Sequence, residues 1–171
     1  MITVAADGSS LGNPGPSGWA WIGSGGAWDA GGWPEGTNNI GELTAVLQAL
    51  WATEAAGLAG EPLHILCDSQ YAINCVTKWM PGWKAKGWKK STKGEIKNLR
   101  ILQQIDAVIQ GRAVTFEWVK GHAGHSLNEV ADRYANRAAV VNQEGGTVPA
   151  GPAFGVPTPR TTILGEPILG E

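Results

Sequence analysis

Apolar residues in ITVAAD (2–7) and WAWIGS (19–24) come in short runs of the kind that form strands, and GSSLGNPGPSG between them is built from turn formers. AWDAGGW (27–33) extends the pattern to a third strand, which predicts an antiparallel meander. From Asn39 the period changes. Ile40, Leu43, Val46, Leu47, Leu50 and Trp51 recur at helical spacing up to Gly57 and Gly60, predicting an amphipathic helix. LHILCD (63–68) reads as a short strand ending in an acid, and SQYAINCVTKW as a helix that Pro81 and Gly82 stop. Thr92 and Glu95 have capping-box spacing ahead of Ile96, Leu99, Leu102, Ile105 and Val108, so a long helix is expected to run to Gly111. AVTFEWV (113–119) supplies the last strand. Ser126 and Glu129 repeat the capping-box spacing before a final helix carrying Val130, Tyr134 and Ala138. The fold class is therefore α/β: three antiparallel strands first, then strands joined through helices as parallel crossovers, in a mixed sheet flanked by helices.

Composition adds size and setting. A chain of 171 residues, 43% hydrophobic and 16% charged, is sized for one globular domain with a real core. It contains no run near the roughly 18 apolar residues that span a bilayer, and MITVAADGSS lacks the basic and apolar regions of a leader, so a cytoplasmic protein off the membrane is expected. Cys67 and Cys75 have no metal or redox spacing and read as buried free thiols. Beyond Val141 periodicity gives way to Gly, Pro and Thr, so residues 142–171 are expected to form a disordered tail. Its near-repeat ILGEP and ILGE is either a docking peptide for a protein partner or without meaning.

Charge changes the picture more. The formal net charge is only −2, yet residues 78–100 hold eight of the thirteen basic residues against one acid, Glu95. KWMPGWKAKGWKK (78–90) alone places five lysines among three tryptophans. Such a patch on an acidic body is either a solvated helix face or a polyanion site.

The acids pose the complementary question. Asp7 ends the first strand, Glu42 opens the first helix, Asp68 ends the fourth strand and Asp132 enters the last helix. Singly, each has a plain structural reason: a turn, a helix N-terminus, an N-cap, a solvated surface. Taken together, they fall where α/β sheets place their sites. Carboxylates gathered there repel by about 4 kcal/mol per pair at 4 Å and an effective dielectric near 20, so a cation is required. Oxygen ligands suit Mg²⁺, with Mn²⁺ as a substitute, and two such ions suit in-line phosphodiester hydrolysis.

Five segments, DGSSLGNPGPSG, TNNIGELTAV, CDSQYAI, KGWKK and WVKGHAGHSLNEVAD, in this order and with Asp132 ten residues after His122, resemble ribonuclease H of type 1, of the bacterial kind, over residues 1–141. The resemblance implies a ribonuclease H-like fold with a five-stranded mixed sheet, and two-metal endonucleolytic cleavage of the RNA strand of an RNA/DNA hybrid to 5′-phosphate and 3′-hydroxyl ends. It assigns Asp7, Glu42, Asp68 and Asp132 as catalytic metal ligands and His122 as a mobile loop group that moves protons or assists product release, while His125 is kept structural. Asn13, Thr37, Asn38, Asn39 and Gln70 match positions that contact the hybrid, where 2′-hydroxyls distinguish RNA from DNA. Residues 78–97 match a basic protrusion whose Trp79, Trp83, Lys84, Lys86, Trp88, Lys89 and Lys90 would hold the DNA strand, with one of the tryptophans only packing. A monomer is implied, acting in DNA replication and repair. Two features depart from the family pattern: the glycine-rich IGSGGAWDAGG and the Ser126-Leu127 that follows His125. A nonenzymatic duplex-binding module, or a nuclease of related fold with another substrate, stays open at this stage.

Overall fold

Val4 and Ala6 of β1 (Ile2–Ser10) face one side of the sheet and Ala5 the other, and this alternation sets the two layers that flank it. In the computed structural model, which describes residues 1–89, 94–120 and 126–162, β1 pairs antiparallel with β2 (Gly15–Gly23) and β2 with β3 (Trp28–Gly36). β4 (Leu63–Cys67) and β5 (Val114–Trp118) join in parallel, giving the order β3-β2-β1-β4-β5. The expected mixed sheet is present. Its first two strands run further than the composition of GSSLGNPGPSG predicts, because cross-strand pairing continues to Ser10 and Ser17 and the strands leave only residues 11–14 between them. The glycine-rich segment after β2 closes a tight hairpin, with Gly23 N donating to Ala27 O at 2.7 Å.

On the Val4 and Ala6 face lie α1 (Asn38–Ala55) and α4 (Leu99–Ile109). On the other lies α5 (Ser126–Gln143), whose Ala131 and Ala135 meet Ala5, Ala20 and Ala30. The expectation of an amphipathic first helix is corrected: every residue from Gly41 to Leu50 is buried. Gln48 Nε2 donates to Pro159 O at 2.9 Å, and the Arg112 guanidinium donates to Leu50 O at 2.9 Å and Thr53 Oγ1 at 2.8 Å. The outer side of α1 therefore faces protein, which explains why its polar residues give so weak a stripe.

Two further boundaries move. After α2 (Gln70–Asn74), a π-helical turn (Cys75–Trp79) leads into α3 (Met80–Ala85), so Pro81 does not stop the helix. It stands in the first turn of α3, directly after the π-helical turn. Likewise α4 begins at Leu99, not beside Glu95. Asn98 adopts the left-handed conformation (φ 60°) while its Nδ2 donates to the Tyr71 hydroxyl at 3.0 Å, and that tertiary bond outweighs the local pattern. Thr92 lies outside the described residues.

The described residues that follow α5 contain no helix or long strand, but residues 146–162 are packed against β2, β3 and α1. Phe154 stacks on Trp21 with centroids 5.2 Å apart, and Ala153 N donates to Trp28 O at 2.9 Å. Arg160 Nη1 donates to both oxygens of buried Asp29 at 2.8 and 2.9 Å, with its guanidinium 5.2 Å from the Trp19 ring. Lack of periodicity, on which the expectation of disorder rested, reports missing secondary structure and says nothing about tertiary packing.

Candidate active site

Register brings the first two acids together. The parallel ladder between β1 and β4 ends at the pair Ala6 and Cys67, so Asp7 and Asp68 follow it side by side at the carboxyl edge. Asp7 does not end its strand, since β1 continues along β2 to Ser10. Glu42 arrives through two glycines. A Cβ on Gly8 would lie 2.3 Å from Glu42 N and 2.4 Å from Gly41 C, so only glycine lets α1 start directly on β1 beside Asp7. Asp132 comes from the other layer. A Cβ on Gly18 would lie 2.2 Å from Ala135 O, and this close seating of α5 brings Asp132 near enough to Asp7 to help raise its carboxyl.

The result is a knot of carboxyls that the protein alone leaves unsatisfied. Asp7 is 1% exposed and Glu42 7%, whereas Asp68 and Asp132 are half-buried. Asp7 Oδ2 has no hydrogen-bond partner. Burial, then the charge of Asp68, pushes the Asp7 carboxyl up to about 9, and burial followed by Asp7 and Asp68 raises Glu42 well above the usual carboxyl range. Cys67, a free buried thiol as is Cys75, directs its Sγ to Glu42 Oε2 at 3.8 Å, and burial with the neighbouring Glu42 raises it as well. Ligand atoms of Glu42, Cys67 and Asp68 lie within 4.8 Å of one another. An orphaned buried oxygen, oxygen donors from several elements and two carboxyls that cannot readily ionise beside each other fit a hard divalent cation.

Around this edge the remaining expected residues divide. Asn13 Oδ1 accepts from Asn38 N at 3.1 Å, tying the β1–β2 turn to the start of α1. The Thr37 hydroxyl accepts from Ile40 N at 3.1 Å as the N-cap of α1, so its oxygen already serves the helix. Asn38, Asn39 and Gln70 are exposed, Gln70 two residues from Asp68. In the protrusion Trp83 and Trp88 pack against the main core, while Trp79 is 42% exposed with its ring between Tyr71 and Trp83, at 6.1 and 6.0 Å. Lys84, Lys86 and Lys89 are exposed, and Lys84 pairs with Asp106 at 3.1 Å. His122, His125 and Lys90 lie outside the described residues.

Two contacts had no signal in the sequence pattern. Cys67 against Glu42 needs the α1–β4 packing to be known, and Trp118, whose Nε1 donates to Asp68 O at 3.2 Å, looked like one more strand residue. The glycines were visible as Asp7-Gly8 and Gly41-Glu42, acid and glycine adjacent in both elements.

Comparison with known proteins agrees with this fold. The family model for RNase H matches residues 1–140. A protein named Ribonuclease H from Tropheryma whipplei is 49% identical over 138 residues, covering 81% of this chain and 84% of that one. Ribonuclease HI of Streptomyces coelicolor is 43% identical over 163 residues, covering 91% of this chain and 67% of its own length, a span too long to fit within residues 1–141. Among solved structures, LC9-RNase H1, a type 1 RNase H with the type 2 active-site motif, superimposes with a TM-score of 0.67 at 34% identity, covering 86% of this chain and 76% of that one.

Proposed function

The chain belongs to the RNase H family of endoribonucleases, and from that premise we propose that it cleaves the RNA strand of RNA/DNA hybrids internally, leaving 5′-phosphate and 3′-hydroxyl ends. The observation that carries the reading is the convergence of Asp7, Glu42, Asp68 and Asp132 on one sheet edge, with a buried Asp7 oxygen left unpaired. The family is divalent-metal dependent; Mg²⁺ is the ion proposed here, with Mn²⁺ as substitute, held by these four residues. When bound, two such ions would stabilise the attacking and leaving oxygens of an in-line displacement at phosphorus.

The protein's own contribution is placement. Asp7 and Glu42, buried and fixed by the Gly8–Gly41 contact, give the site a rigid floor, and Asp68 and Asp132 reach it from the partly open side. Asn13, Thr37, Asn38, Asn39 and Gln70 are proposed to line the shallow groove of the hybrid, where amides can meet base edges and 2′-hydroxyls. Trp79, Lys86 and Lys89 would hold the DNA strand, Lys84 and Lys90 adding charge. Trp83 and Trp88 support that surface from beneath. His122 is proposed to carry protons at the site. Residues 1–141 form the catalytic unit in this reading, which also has the enzyme acting as a monomer in the cytoplasm, on hybrids arising in replication and repair. Among the described residues no helix is long and apolar enough to cross a membrane.

Labelled RNA/DNA, RNA/RNA and DNA/DNA duplexes, incubated with and without Mg²⁺, test the proposal. Cleavage confined to the RNA of the hybrid, lost in Asp68→Asn while hybrid binding persists, is the expected result. Undiminished cleavage by Asp68→Asn, or binding of hybrid by the wild type with no cleavage at any metal concentration, would overturn it.

A further inference from the structure

Trp118 is the last residue of β5 and 49% exposed, so burial does not account for a tryptophan there. What it does within the protein is specific. Its indole Nε1 donates to Asp68 O at 3.2 Å. In register it stands opposite Cys67, and the next residue, Val119, donates its N–H to Cys67 O at 3.0 Å. The end of β5 thus holds two consecutive carbonyls of the segment that presents Asp68. From the other direction Ser69 caps α2, its hydroxyl accepting from Ala72 N at 3.1 Å.

Asp68 needs this more than its neighbours do. Asp7 lies inside paired strands and Glu42 inside a buried helical turn, so packing fixes both. Asp68 follows the last residue of β4, outside the ladder and half-buried, and its backbone is located by hydrogen bonds at its flanks and its carbonyl. Groups that orient a metal ligand without touching the metal commonly contribute ten- to a hundredfold in affinity or rate.

We propose that Trp118 is a positioning residue for Asp68, fixing through its indole N–H the peptide from which that carboxylate reaches the metal. The proposal rests on the reading of Asp68 as a metal ligand.

The test compares wild type with Trp118→Phe, which keeps an aromatic ring and removes the N–H. Mn²⁺ binding, followed by titration calorimetry, is expected to weaken about tenfold. Hybrid cleavage at low Mg²⁺ is expected to show kcat lowered by a similar factor, KM for the hybrid unchanged, and recovery as Mg²⁺ is raised. A role in stability alone would lower Tm and leave Mn²⁺ affinity and the Mg²⁺ dependence where they were; that outcome overturns the proposal. If Phe disrupts the strand end, 3-benzothienylalanine at position 118, which keeps the bicyclic shape and replaces N–H by sulfur, answers the same question. Wild type that binds Mn²⁺ without cleaving hybrid would defeat the functional reading while the affinity comparison still decides the role of Trp118.

Discussion

Two aspartates of this protein are equally buried and opposite in logic. Asp29, 2% exposed, is met by Arg160 on both oxygens and by the backbone N–H groups of Ala30 at 2.8 Å and Gly151 at 2.9 Å. Asp7, 1% exposed, has an oxygen with no partner and other carboxyls as its neighbours. Burying a charge is costly unless it is paired and hydrogen-bonded, so Asp29 is completed by the chain itself and Asp7 awaits something from outside. The contrast separates a structural acid from a functional one without reference to any relative.

Exchanging each for its amide should break the protein in different ways. Asp7→Asn is expected to abolish hybrid cleavage, by on the order of a thousandfold or more in kcat, since metal charge stabilisation supplies several kcal/mol at the transition state. The same change should leave the metal-free protein as stable as before or more so, because it removes an acid that its surroundings resist ionising. Asp29→Asn should do the reverse. It leaves Arg160 without its counter-charge; because that arginine is partly solvated, the cost is about 2 kcal/mol, less than for a wholly buried pair. That corresponds to a Tm lower by roughly 4–8 °C, with kcat at 25 °C retained. Melting curves and single-time-point cleavage of both variants suffice, and loss of stability in Asp7→Asn with gain in Asp29→Asn would invert the comparison.

Acidity sharpens it. The Asp7 carboxyl, ordinarily near 3.8, is raised to about 9 in the folded protein, and Glu42 is raised too. Between those values the folded state holds a proton that the unfolded chain has released. Metal-free stability is therefore full below about pH 4 as far as Asp7 is concerned and declines as pH rises towards 9, by up to about 1.4 kcal/mol per unit. Melts in chelator from pH 5 to 8.5 should show this decline in wild type and Asp29→Asn, and a shallower one in Asp7→Asn. Mg²⁺ at a hundred times its dissociation constant should restore about 2.7 kcal/mol at the alkaline end. Equal slopes in all three proteins would mean that the acids do not form one site.

How far the sequence could reach follows from the same pair. Asp7, Glu42, Asp68 and Asp132 were legible as candidates because the pattern put each near an element boundary, and such boundaries gather at one edge of an α/β sheet, although β1 runs on past Asp7 to Ser10. Asp29 was not singled out, because its partner Arg160 is 131 residues away in a segment without periodicity. The mixed character of the sheet, antiparallel first and then parallel, was legible from the short apolar runs and the crossovers. The uninterrupted passage through Pro81 and the late start of α4 were not, since a π turn and a left-handed Asn98 depend on contacts, with Tyr71 among them, that no local window contains. Trp118 and Cys67 escaped for that reason also: a residue facing an acid across two elements carries no periodic mark.

The smallest expected effect carries the distinction from acids to cations. Lys84, Lys86 and Lys89 are all exposed on the protrusion, but Lys84 is already engaged by Asp106 at 3.1 Å. A cation countered within the chain should contribute less to holding a phosphate than one that is not, just as Asp29 asks for less than Asp7. Replacing Lys86 and Lys89 by alanine should raise KM for the hybrid a few-fold with kcat nearly intact, and lower the slope of log affinity against log salt by up to about one unit for each phosphate no longer neutralised. Lys84→Ala should move both quantities less. Equal effects at all three lysines would mean that the Lys84–Asp106 pair opens at no cost when substrate arrives, and a fall in kcat without a rise in KM would place the protrusion's lysines in the chemistry and not in the hold on the DNA strand.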